Sequence, residues 1–126
     1  MARKASMIVL AAWCCLHSSA YAAGNVERGG TLYSARCGAC HSIDDHGAGP
    51  RHRGLIGRRA GSEPGFDYSP ALKSSKLVWS PKLLDRWLIN PNTLVPGNKM
   101  VVQLANDPAD RADLITYLVV ATAKPH

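Results

Sequence analysis

Apolar positions along the chain recur at helical spacing, in blocks separated by stretches rich in Gly, Pro, Asn and Asp. The first block differs from the rest. Arg3 and Lys4 precede a mostly apolar run from Ala5 to Leu16, and Ala20-Tyr21-Ala22 follows with the small-x-small pattern of a cleavage site. Residues 1–22 therefore read as a secretory signal peptide, with the run shorter than the ~20 apolar residues that cross a bilayer, which argues against a retained anchor. Cys14 and Cys15 leave with this segment; Trp and Cys rather than small residues precede them, against lipid modification.

Residues 23–126 form the second unit, enough for one small domain. Asn25 is a good N-cap for a helix running to about Arg36, with Glu27 in its first turn where the helix dipole favours an acid. Gly29-Gly30 marks either close approach of another helix or a weak helix, and close approach is the preferred reading. Asp44 to Gly54 is a loop, with Gly49-Pro50 its firmest turn signal. A second glycine-rich stretch, Gly57 to Tyr68, follows.

Ser69-Pro70 pairs an N-cap with proline at the first helical position, and Ser80-Pro81 repeats the device. Leu83, Leu84, Trp87 and Leu88 then give one apolar helix face, which Asn90-Pro91 stops. Val95-Pro96-Gly97-Asn98-Lys99-Met100 has neither period and reads as an ordered turn. Asp107-Pro108 caps a last helix with Asp110 and Asp113 near its start and a buried stripe of Ala112, Ile115, Leu118 and Val119. The expected fold class is all-α, three to five helices and no strand.

Charge and cysteine content narrow the picture. The second unit carries thirteen Lys and Arg against nine acids, a balance of +4, and only two cysteines. An exported domain of this size with no disulfide needs another source of core. Basic balance is the only feature pointing towards nucleic acid, without a motif or aromatic platform, so nucleic acid is not an expected partner.

Those two cysteines lie in Cys37-Gly38-Ala39-Cys40-His41, the attachment sequence of a c-type haem. On one turn of helix, Cys37 and Cys40 can each form a thioether to a vinyl group while His41 turns onto the iron. Competing readings fit less well. A redox dithiol wants a strand before the cysteines, where residues 25–36 read as helix. A zinc finger through His46 and His52 leaves five residues between Cys40 and His46, against the usual ~12. A buried porphyrin supplies the missing apolar mass.

The second axial ligand decides the chemistry. Met1 and Met7 belong to the leader, leaving Met100 as the one thioether of the second unit. A lone methionine is more often gap-filling core, but this one sits in a Pro/Gly loop far enough from His41 to reach the other haem face. His46, His52, His126 and Lys99 are rival donors.

Taken in order, Gly24-Asn25-Val26-Glu27-Arg28-Gly29, the haem motif, Gly49-Pro50, Gly57-Arg58, Gly65-Phe66-Asp67-Tyr68-Ser69, Leu77-Val78-Trp79, Asn90-Pro91, Val95 to Met100 and Arg111-Ala112-Asp113-Leu114-Ile115 resemble a class I cytochrome c over nearly all of the second unit. The resemblance implies the small cytochrome c fold around one covalently attached heme c, with His41 and Met100 as axial ligands and the Pro50 carbonyl orienting His41. It implies that Arg58, Tyr68 and Trp79 hold a buried haem propionate; plain aromatic core is the other reading of Tyr68 and Trp79. Gly29, Tyr33, Leu114 and Tyr117 match the crossing of the terminal helices.

Three departures stand out. Pro50-Arg51-His52-Arg53 replaces the common Pro-x-Leu, Trp87 stands where mitochondrial members have a tyrosine, and Asn98 replaces a common threonine beside Met100. Losing that hydroxyl puts the hydrogen bonding around Met100 in question.

Iron held on both faces has no open position for substrate, so a periplasmic electron carrier is expected rather than an enzyme, and thioether ligation favours the reduced state. Its expected partners are a quinol-oxidising cytochrome bc complex or a dehydrogenase on one side and a terminal oxidase or reductase on the other, met by a monomer. Lys73, Lys76, Lys82, Arg86, Lys99 and the Arg51 to Arg53 cluster either steer acidic partner surfaces or form an ordinary solvated face. A weak peroxidase or gas-binding protein is the alternative, and it requires Met100 to leave the iron.

Overall fold

Each helix begins where a side-chain oxygen takes up orphan N–H groups of its first turn. In the computed structural model, which describes residues 23–100 and 106–125, α1 spans Val26–Arg36, and its Asn25 cap accepts from Arg28 N at 2.9 Å. The same device opens α2 (Pro70–Ser74, capped by Ser69) and α3 (Pro81–Ile89, capped by Ser80). Asp107 caps α5 (Pro108–Ala121) through bonds from Ala109 N and Asp110 N. The expected leader, residues 1–22, lies outside the described residues, as does His126. No described helix is long and apolar enough to cross a membrane.

One helix was not expected. Asn90-Pro91 does stop α3, but Asn90 also accepts from Asn92 N and so starts α4, Pro91–Leu94. Five helices are thus present among the described residues, with no strand. The nearest approach to a sheet is a single antiparallel bridge between Arg59 and Val78. Bonds Trp79 N→Arg58 O (2.9 Å) and Ala60 N→Leu77 O (2.9 Å) extend it, tying the segment that carries Arg58 to the one that carries Trp79.

Helices α1 and α5 cross where Gly29 removes the side chain. A Cβ at Gly29 would overlap the Asp113 carbonyl and Tyr117 Cβ, so close approach is the reason for that glycine. Tyr33 packs against Tyr117 with ring centroids 5.3 Å apart, and Leu114 is fully buried. Arg28 pairs with Asp110 and Asp113, Arg36 pairs with Asp110 at 2.7 Å, and Asn25 N donates to Asp113 at 2.7 Å. These acids therefore lash α5 to α1 as well as facing its N-terminal dipole.

That lashing changes the α5 stripe. Leu114, Ile115 and Leu118 are buried together with Asp110, Arg111 and Asp113, whereas Ala112 is only partly buried and Val119 is 41% exposed. Ion pairing lets charged positions occupy the inner face and turns Val119 outwards. Arg111 also reaches Asp85 of α3 at 2.7 Å. The α3 face is as expected, with Leu83, Leu84, Trp87 and Leu88 all buried.

Candidate haem site

The segment that follows α1 continues its winding for one turn. Cys37 caps the helix, and His41 N bonds back to Cys37 O at 2.9 Å. Cys37 is buried and Cys40 is exposed, and the two are not joined in a disulfide. Burial pushes the Cys37 thiol up to about 11, with Arg36 pulling the other way.

His41 Nδ1 lies 2.8 Å from the Pro50 carbonyl, which can only accept. The proton therefore sits on Nδ1 and the lone pair on Nε2, the form an imidazole needs to bind a metal. Burial holds the His41 pKa below its ordinary value, against the opposing bond to Pro50. A Cβ on Gly49 would overlap the His41 ring.

All eight residues singled out in the sequence, Cys37, Cys40, His41, Pro50, Arg58, Tyr68, Trp79 and Met100, line one open-sided cavity of about 1260 Å³ including its mouth. Leu55, Phe66, Leu72, Leu84, Leu88 and Leu118 give it apolar walls. Arg58 reaches Glu63 at 2.5 Å, Arg53 O at 2.9 Å and Arg51 O at 3.1 Å, yet its Nε is buried without a partner. An orphaned guanidinium donor beside an apolar slot that also bears two thiols and an oriented imidazole fits a porphyrin with a carboxylate to place there.

Both distal departures bond to Met100. The Trp87 indole N–H points at Met100 Sδ, 3.3 Å away. Asn98 Oδ1 accepts from Met100 N at 2.7 Å while its Nδ2 donates to Val95 O at 2.8 Å, pinning the loop. Tyr68 and Trp79 are both buried, and Trp79 meets Trp87 edge-on at 5.1 Å.

Family comparison decides the identity. The family model for Cytochrome c matches residues 26–121. This chain belongs to the cytochrome c family. It is 41% identical to cytochrome c of Sesamum indicum over 103 residues, which covers 79% of this chain and 93% of that one. It is 43% identical to cytochrome c2 of Rhodomicrobium vannielii over 104 residues, 80% of this chain and 82% of that one. In fold it is similar to cytochrome cH from Methylobacterium extorquens, with a TM-score of 0.72, 39% identity, and 76% of this chain and 98% of that one covered.

As a cytochrome c it is an electron-transfer protein with a covalently bound c-type haem, and not an enzyme. The basic residues of this cytochrome c divide into two groups. Arg51 pairs with Glu63 at 2.6 Å, and Arg53 pairs with Asp44 at 2.8 Å and holds the Ala121 and Ala123 carbonyls. The Arg51 to Arg53 cluster is therefore committed to internal bonds, not held out as a steering patch. Lys73 and Lys99 both face Asp67, while Lys76, Lys82 and Arg86 are exposed and have no ion pair among the described residues.

By sequence His52 is a rival donor for zinc or iron. Its ring instead stacks on His41 with centroids 4.2 Å apart, and burial, together with His41 and Arg58, holds its pKa down at about 3. No group of three or more metal-binding side chains of the zinc-finger kind exists among the described residues.

Proposed function

We propose that this cytochrome c is an exported, periplasmic one-electron carrier of a respiratory chain, with residues 1–22 as its signal peptide and 23–126 as the haem-bearing domain. Cys37 and Cys40 take the two thioether bonds. His41 and Met100 are the axial pair, and Arg58, Tyr68 and Trp79 hold a haem carboxylate. When bound, the haem supplies a single exchangeable electron at its iron.

The observation that carries this reading is the pair of prepared donors on one cavity. His41 has its Nδ1 committed to Pro50, so its Nε2 is the available ligand atom. Met100 has its sulfur fixed by the Trp87 N–H and its backbone fixed by Asn98. A ligand held in this way is not a labile one, which favours the carrier over a peroxidase or gas sensor. The apolar walls exclude water, and a thioether donor in a dry site favours the reduced state.

Partner choice follows from the unpaired surface charge. Lys76, Lys82 and Arg86 support docking, as a monomer, to acidic surfaces of a cytochrome bc complex or dehydrogenase and of an oxidase or reductase. Rates with such partners fall as ionic strength rises.

The test is the visible spectrum of the purified exported protein with a pyridine haemochrome assay and the mass of its N-terminus. The expected result is a low-spin c-type spectrum, a weak red-end band of the oxidised form that is lost in Met100→Ala, and a chain starting near Ala23. A high-spin oxidised spectrum overturns the axial assignment, and a retained leader overturns the soluble periplasmic form.

A further inference from the structure

At the Pro50 end of the cavity a second imidazole lies against the first. The His52 and His41 ring planes differ by 20°, with centroids 4.2 Å apart. His52 Nδ1 lies 2.9 Å from the Tyr33 hydroxyl, and His52 N donates to Ser42 O at 3.0 Å.

The bond from His41 to Pro50 acts at one atom, so by itself it leaves the ring free to swing about the line of that bond. Two contacts oppose the swing. Gly49 comes so near the ring that a Cβ there would overlap it, and His52 covers a ring face. His52 in turn is held by Tyr33, whose ring sits edge-on to it at 5.7 Å and packs on Tyr117 of α5. A continuous set of contacts therefore runs from the α1–α5 crossing to the proximal imidazole.

We propose that His52, fixed by Tyr33, is a positioning residue that sets the plane of His41 and thereby the balance between oxidised and reduced haem. This rests on His41 being an axial ligand. The leucine that the resembled family commonly carries at this place fills space, but it offers neither a flat face nor a partner for the Tyr33 hydroxyl. The Tyr33–His52 pair also sets two dipoles beside the imidazole, a polar environment that favours the more highly charged ferric state.

The experiment compares holoprotein wild type with His52→Leu, His52→Phe, Tyr33→Phe and the double variant His52→Leu/Tyr33→Phe. Two readouts are needed: the reduction potential by voltammetry, and the spread of haem methyl resonances in the oxidised proton NMR spectrum, which follows the orientation of the axial imidazole. His52→Leu should change the spread and shift the equilibrium threefold to tenfold towards the reduced form, up to about 59 mV for one electron. Tyr33→Phe keeps the core volume, and should shift both readouts less and in the same sense. The double variant should go no further than His52→Leu alone, and His52→Phe, which keeps a flat face, should retain a spread near wild type.

A set of variants with wild-type spread and potential, and only lower melting temperatures, overturns the proposal. Tyr33→Phe keeps the test open if His52→Leu does not fold. The wild-type spectrum alone tests the axial pair, whereas the differences among these variants test only the positioning role.

Discussion

Trp87 Nε1 lies 3.3 Å from Met100 Sδ, placing an indole donor from α3 on the sulfur of a loop thirteen positions further along the chain. A thioether is a weak acceptor, and an N–H bond to it restrains the side chain more than it changes the sulfur's electronics. Replacing Trp87 with Phe keeps most of the apolar volume and removes the donor. Loss of one neutral bond worth about 1 kcal/mol corresponds to roughly fivefold easier displacement of Met100. Titration of the oxidised protein with imidazole measures this directly, and equal affinities in wild type and variant would show that the bond does not restrain Met100.

Gly29 predicts a structural cost. Because the atoms a Cβ would meet include backbone of α5, Gly29→Ala must push α1 and α5 apart. The expected destabilisation is about 1–3 kcal/mol, despite alanine's better helix propensity. Denaturant unfolding of the holoprotein measures it, and a variant as stable as wild type would contradict the close crossing.

How much of this is legible in the sequence depends on the kind of signal. Four helix starts could be read because Asn25, Ser69-Pro70, Ser80-Pro81 and Asp107-Pro108 announce themselves locally. Asn90-Pro91 carries the same signal but follows a helix directly, so its stop function hid the start of α4. Apolar period alone places the α5 stripe, and it carries no sign that Arg28 and Arg36 make Asp110 and Asp113 inward-facing.

In the site, spacing and type pointed to residues that do meet on one cavity. What single residues could not reveal was pairing across the chain. Asn98 reads in the sequence as a lost threonine hydroxyl and Trp87 as a departure from tyrosine, whereas in the fold both bond to Met100. Arg51, His52 and Arg53 looked like one cationic cluster, yet each turns to a different partner: Glu63, Tyr33 and Asp44.

Acid stability should follow the α1–α5 ion pairs. Arg28, and then Arg36, hold the Asp110 carboxyl below its usual value of 3.8, and the Asn25 N–H followed by Arg28 does the same for Asp113. A depressed folded-state value means stability that is present above the usual carboxylate range and lost as pH falls through the folded value. Asp110→Asn should therefore melt lower than wild type at neutral pH, with the gap closing as pH drops below 3.8. Thermal melts from about pH 7 to about pH 2 test this; a gap that widens in acid would contradict it.

Glu63 is 8% exposed and bonded to both Arg51 and Arg58. Burial alone raises its pKa, but the two guanidiniums outweigh that and lower it. Glu63→Ala removes the carboxylate that Arg51 and Arg58 share, and a loss of about 1–3 kcal/mol is expected from the charged hydrogen bonds given up. Chemical denaturation of the holoprotein checks the value, and a change under about 0.5 kcal/mol, typical of a surface position, would mean that the pair contributes little.

The central claim is that Met100 closes the iron to outside ligands. Its most direct test is the rate at which carbon monoxide binds the reduced protein, wild type against Met100→Ala, followed by stopped-flow absorbance at neutral pH. The account predicts slow or undetectable binding in the wild type and fast binding in the variant. Wild-type binding as fast as that of the variant would contradict it, and would mean an open iron site.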